Sequence, residues 1–148
     1  MDSAGTWSYG YVGYGITNGC GYGSNCNLVH PVRGICPRGW HLPNQEEWIT
    51  LYEYAGGSAG VMGAGKPLNS TEGWEEPGTD RYGFSALPGG WYSTYSGNFL
   101  DEGVRTYFWT SVEVSSTQAR VMEFLYWRIY DYVYSENTGL YVRCIKNN

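Results

Sequence analysis

Few side chains in this sequence could do covalent chemistry. Two histidines, His30 and His41, and four cysteines, Cys20, Cys26, Cys36 and Cys144, stand among 14 acidic residues. A Gly-x-Ser-x-Gly elbow, a His-Glu-x-x-His helix and a phosphate-cradling glycine loop are all missing. His41 lies between Trp40 and Leu42 just ahead of an expected helix, where a histidine is more often a hydrogen-bonded structural residue than a base. Glu46 and Glu47 are explained as acids at that helix start, and Glu75-Glu76 and Asp101-Glu102 lie in polar stretches where solvated charge is the default. Glycoside hydrolysis needs two carboxylates about 5–9.5 Å apart across a cleft, and nothing in the spacing requires that. The inventory favours a non-enzyme.

Cysteine chemistry leaves two readings. Cys20 and Cys26 bracket a short glycine-rich loop, Cys36 sits in a proline-rich stretch ahead of the helix, and Cys144 lies close to the last residue. An even count in a small, acidic, aromatic-rich chain favours disulfides and an oxidising compartment, extracellular or at the cell surface. The rival is a zinc site built from Cys20, Cys26 and Cys36 with His30 or His41. Its spacing lacks the Cys-x2-Cys knuckle of common zinc sites and leaves Cys144 unused.

Non-covalent chemistry is better supplied. Tyr126, Trp127, Tyr130, Tyr132, Tyr134 and Tyr141 crowd one region beside Arg128, Asp131 and Glu136. Tyr and Trp offer large amphipathic contact areas at low entropic cost, to a sugar ring or to a protein. Tyrosines at 130, 132 and 134 in a strand put a row of phenols on one side. Buried phenols need hydrogen-bond partners, so the row is expected to be partly exposed. Trp127, Arg128, Tyr130, Asp131, Tyr132 and Tyr134 are the expected ligand-binding residues. Polysaccharide or a cell-surface protein is the expected partner.

These residues need elements to hold them. Asn44 can cap a helix and Glu47 can return the bond; Trp48, Leu51, Tyr52 and Ala55 then fall on one face, with Gly56-Gly57 as the stop. The pattern predicts a helix over 44–55. From Gly56 to Thr106, Gly, Pro, Ser and Asn dominate, which reads as long loops folded onto Trp74, Tyr82, Phe84, Leu87 and Trp91. Gly63, Gly65 and Pro67 argue against a helix near 60–70. Strands are predicted over 107–111, 119–127, 130–134 and 140–146. In the second, one face carries Glu123, suggesting a half-buried strand. Residues 1–35, with Tyr-Gly repeats, suit an extended ribbon.

Composition narrows the class. At 148 residues one domain spanning 1–148 is expected. Charged residues make up 16% and aromatics 18%, which excludes a disordered tail and a long-helix protein. A net charge of −5 with nine scattered Lys and Arg argues against nucleic acid. No apolar run approaches the roughly 20 residues of a membrane span, so no membrane insertion is expected, and the opening residues lack a signal peptide's regions.

The stretches Cys36-Pro37-Arg38-Gly39-Trp40-His41-Leu42-Pro43, Glu47-Trp48, Asp80 to Gly90, Phe108-Trp109-Thr110-Ser111 and Val142-Arg143-Cys144-Ile145 resemble, in order, the Fibrobacter succinogenes major paralogous domain family. The helix-start and terminal motifs are also similar to formylglycine-generating-enzyme-like domains. The resemblance implies an α+β, C-type-lectin-like fold: small antiparallel sheets, one or two helices, long loops, and two chain ends meeting in one small sheet. It implies disulfides Cys20–Cys26 and Cys36–Cys144. It also implies that the chain starts inside the family's domain, so that the Tyr-Gly ribbon replaces a first strand or a partner, such as a second copy, covers an exposed edge. Formylglycine-generating activity depends on cysteines near the terminal strand; Cys144 stands alone there, so that activity is not expected. Lectin-like folds often use calcium, with six to eight oxygens. Asp80, Glu75, Asp101, Glu102, Glu113 and Asp131 could supply some, but none forms a recognisable calcium loop, and Glu76-Pro77-Gly78 lacks the carboxamide of a sugar-binding Glu-Pro-Asn. No cofactor is expected.

Overall fold

The computed structural model describes residues 22–23, 25–26, 28–57 and 63–148. The predicted helix is present as α1 (Gln45–Tyr54), and its capping box forms as expected: the Asn44 side chain accepts from the Glu47 amide, and Glu47 accepts from the Asn44 amide. Gly56, with φ +91°, lets the chain leave the helix in a conformation that disfavours a side chain.

The chain is α+β, with seven strands outnumbering two short helices among the described residues. Five strands form one sheet: β2 (Gly89–Ser93), β3 (Asn98–Glu102), β4 (Arg105–Ser115), β5 (Gln118–Leu125) and β6 (Arg128–Ser135), in the order β3-β2-β4-β5-β6. Pairing is antiparallel except where Gly90 of β2 meets Thr106 of β4 in parallel. A two-stranded sheet pairs β1 (Trp40–His41) with β7 (Ile145–Lys146), so the segment before α1 meets the end of the chain. The Cys36–Cys144 disulfide fixes that junction, which removes Cys36 from any zinc site. Cys26 is also disulfide-bonded. The expected Cys20–Cys26 pairing involves Cys20, which lies outside the described residues, as does most of the Tyr-Gly ribbon.

Two apolar clusters sit on opposite faces of the large sheet. Tyr107, Trp109, Val121 and Leu140 pack with Val32, Cys36 and Leu42 on one; Phe108, Met122, Phe124 and Ile129 pack with Trp48, Leu68 and Trp74 on the other. Trp48 of α1 stacks on Phe108 and meets Phe124 and Phe84 edge-on. The half-buried reading of β5 is therefore corrected. Both of its faces are covered, and Glu123 is only 5% exposed, because loops and the helix lie on the two sides of the sheet.

Two further expectations change. The loop-like stretch 56–106 contains the β2–β3 hairpin and a one-turn helix, α2 (Gly65–Leu68). Its glycines meet close neighbours: a Cβ on Gly90 would lie 1.9 Å from the Leu100 carbonyl oxygen, and one on Gly65 would lie 2.7 Å from the Trp127 carbonyl carbon. The glycines thus mark close backbone approaches within ordered structure. The predicted strand 140–146 shrinks to Ile145–Lys146, with an isolated bridge from Tyr141 to Phe108.

The Asp80–Gly90 motif builds a loop. Asp80, at φ +44°, accepts from the Ser85 amide and hydroxyl, which holds its carboxyl below the usual range. Trp74 donates its indole N–H to the Ala86 carbonyl, and Arg143 lies over the Phe84 ring while donating to the Phe84 carbonyl.

Candidate functional site

The strand registers define one polar and aromatic face of the large sheet, buried along β4 and β5 and open to solvent toward β6. Arg105, Leu125 and Arg128 lie opposite one another across β4, β5 and β6, then Tyr107, Glu123 and Tyr130, then Trp109, Val121 and Tyr132. Residues directly opposite share a face. Tyr134, four residues beyond Tyr130, shares it too, and its ring reaches both Tyr107 and Trp91 of β2, with centroids 5.2 and 6.2 Å away.

The Tyr107 hydroxyl is the hub. It donates within reach of Glu123 Oε1 at 3.2 Å and Asp101 Oδ2 at 3.4 Å. Arg105 Nη1 donates to the same Glu123 oxygen at 2.8 Å, and Trp91 Nε1 donates to Asp101 at 3.1 Å. Burial pushes the Tyr107 phenol up, and its hydrogen bond with Tyr134 adds to the effect; the bond with Tyr107 raises Arg105. The phenol stays neutral and the guanidinium charged, a preorganised set of donors and acceptors. Asp101 adopts φ +61°, a conformation uncommon outside glycine, and thereby serves two donors.

The hairpin between β5 and β6 has an unusual tip. Two-residue turns favour Asn-Gly or similar pairs, whereas this one is Tyr126-Trp127. The Trp127 carbonyl accepts from the amides of Gly63 and Gly65, and the close seat on Gly65 holds the turn down. Trp127 is left 45% exposed, with the Arg128 guanidinium 6.0 Å from its ring.

Of the six residues expected to bind, Arg128, Tyr130, Tyr132 and Tyr134 share this face, and Trp127 stands at its end. The phenol row is graded: Tyr132 is 52% exposed, while Tyr130 and Tyr134 are half-buried. Asp131 lies away from them. Alternation turns it to the opposite face, where it accepts from Arg120 at 2.9 Å and from Gln45 of α1. Sequence reasoning missed Trp91, Asp101, Arg105, Tyr107 and Glu123, which come together only through the β2–β3 hairpin and the β4–β5 register. The alternation of Arg105 and Tyr107 ahead of Trp109 was the one local signal for them.

Elsewhere, His41 hydrogen-bonds Asn147 at 2.7 Å and Glu47 at 2.9 Å beside a cavity of about 320 Å³ lined in part by His30, Pro31 and Leu42. Glu47 thus joins the helix cap to the terminal strand through His41. Among the described residues, no group of three or more His, Cys, Asp or Glu gathers as metal ligands do. The acids weighed for calcium include several with local partners: Asp80 with Ser85, Glu75 with the Tyr126 hydroxyl, Glu113 with the Cys26 amide. No described helix is long and apolar enough to cross a membrane.

Fold and surface together define a small, disulfide-stapled α+β domain with an aromatic and polar sheet face. Its sequence matches the Fibrobacter succinogenes major domain family over residues 8–146, and the chain belongs to that family. No curated protein and no solved structure matches it.

Proposed function

We propose that this chain is an extracellular or cell-surface, non-catalytic binding module of C-type-lectin-like architecture that recognises carbohydrate through the β4–β5–β6 face. The observation that carries this reading is the exposure of Trp127 and Tyr132 beside half-buried Tyr130, Tyr134 and Trp91, around donors and acceptors already fixed by Tyr107, Glu123 and Asp101. Sugar rings present apolar faces rimmed by hydroxyls, which such a surface complements. The Cys36–Cys144 bond supports an oxidising compartment. Plant or cell-surface polysaccharide is the ligand class, with no cofactor required.

A second reading, a protein-binding or self-assembling surface domain, has one observation in its favour. The edge strand β3 is exposed along its whole length, with Phe99 58% and Leu100 39% exposed and Tyr95 fully so at the adjoining turn. Retention on insoluble cellulose and xylan, with calcium and with chelator, tests the first; size-exclusion mass tests the second. Loss of retention in the Trp127→Ala/Tyr132→Ala variant with an unchanged melting temperature is expected. Retention that survives that variant would remove the face from consideration.

A further inference from the structure

Arg128 stands out among the cations around this face. Arg105, its counterpart across Leu125, is paired with Glu123, whose side chain is 6% exposed. Arg120 is paired with Asp131 on the other side of the sheet. Arg128 has no ion pair among the described residues: its Nη1 donates to the neutral Tyr130 hydroxyl at 2.8 Å, and its Nε is buried with no acceptor. Of the described acids around the network, Glu123 is engaged by Arg105 and Tyr107, Asp101 by Trp91 and Tyr107, and Glu75 by Tyr126. A half-buried guanidinium without an anion is unfavourable, and among the described residues no carboxylate pairs with Arg128.

The geometry points to a carboxylate-bearing polysaccharide, a uronate polymer, as the ligand of this face, with Arg128 taking the carboxylate. This rests on the carbohydrate reading above and names its ligand class. A guanidinium presents a planar fork that pairs with a carboxylate through two hydrogen bonds, whereas sugar hydroxyls leave the charge uncancelled. Adjacent strands lie about 4.8 Å apart, which puts Arg105 and Arg128 about 10 Å apart along the backbone, within joint reach of one anionic residue of a chain. Beside Arg128 stand exposed Trp127, whose ring is 6.0 Å from the guanidinium, and Tyr130, which meets exposed Tyr132 edge-on; such rings can pack on a pyranose. The protein's net charge of −5 opposes adsorption of a polyanion, so binding of one must come from local contacts.

Equilibrium binding of the full chain should be measured against polygalacturonate, alginate and glucuronoxylan, against the methyl ester of whichever binds, and against neutral cellulose and xylan. The ester keeps the ring and removes the charge. We expect the free acid to bind at least about tenfold more tightly than its ester, a difference of ~1.4 kcal/mol. Arg128→Gln should bring the acid down to the level of the ester, while Arg128→Lys keeps part of the preference. Equal binding of acid and ester overturns the assignment, and decides it even if Arg128→Gln fails to fold. Retention on neutral glycans without preference for acids overturns it and leaves the carbohydrate reading standing. Binding to none of these polymers overturns both.

Discussion

Glu136 should make the stability of this domain fall as pH rises. It follows β6, is fully buried, and faces Glu113. Burial first, and the Glu113 charge second, push its carboxyl from 4.5 up to about 7. The folded state therefore holds a proton that the unfolded chain releases near 4.5. Where the folded state binds more protons, unfolding free energy declines with pH, so the contribution is complete below about 4.5 and lost as pH rises to about 7. At ~1.36 kcal/mol per pH unit, the loss across that window is on the order of 3 kcal/mol, a large share of the ~5–15 kcal/mol of a small domain. Glu136→Gln keeps the shape and the acceptor and cannot ionise. Denaturant melts of both proteins at intervals from pH 4 to 8 give the difference directly. It should be small and flat below pH 4.5, grow in favour of the variant up to pH 7, and level off. Parallel curves across the window would refute the assignment of a protonated, buried Glu136.

Other outcomes follow from packing. Trp48→Ala removes a ring stacked on Phe108 and should cost about 3–5 kcal/mol, whereas Tyr132→Ala, at an exposed position, should change stability by no more than about 0.5 kcal/mol; equal losses in thermal melts would make the phenol row packing and not surface. Gly65→Ala places a Cβ 2.7 Å from the backbone of the Tyr126-Trp127 turn. It should lower the melting temperature and weaken any glycan binding that depends on Trp127, and a neutral result would mean that the turn is not seated there. Replacing Cys36 and Cys144 together by Ser opens a bridge with a sequence separation of 108. The chain-entropy relation puts the loss at about 4.8 kcal/mol, to be read from urea melts and compared with reduction of the parent.

How far the sequence disclosed this depended on the range of the interactions. Helix α1 was legible because its signals are local: Asn44 and Glu47 are three residues apart and Gly56 stops the helix. The β5 and β6 strands were visible for the same reason, through Val, aromatic and Tyr alternation. The β2–β3 hairpin was hidden because its glycines resemble loop punctuation. Gly90 is needed where Leu100 crosses it, Gly65 where the Trp127 turn rests, and both contacts span sequence distances that no window reaches. Asp131, grouped with the tyrosines by its nearness in sequence, is turned away from them by strand alternation, and the packing of β5 and α1 supplies Arg120 and Gln45 as its partners.

The burial of Glu123 links the hidden part of the fold to the surface that it builds. An acid in a strand covered on both sides must be hydrogen-bonded or paired, and Glu123 is both, with Tyr107 and Arg105. Those partners come from the neighbouring strand β4, while Asp101 of β3 takes Tyr107 from the other side together with Trp91 of β2. The β2–β3 hairpin, read at first as loop, thus completes the polar network behind the tyrosines. With Glu123 answered by Arg105 and Asp101 by two neutral donors, neither carboxylate of this network pairs with Arg128. That Arg128 has no ion pair among the described residues then follows from how the sheet satisfies its own buried acid.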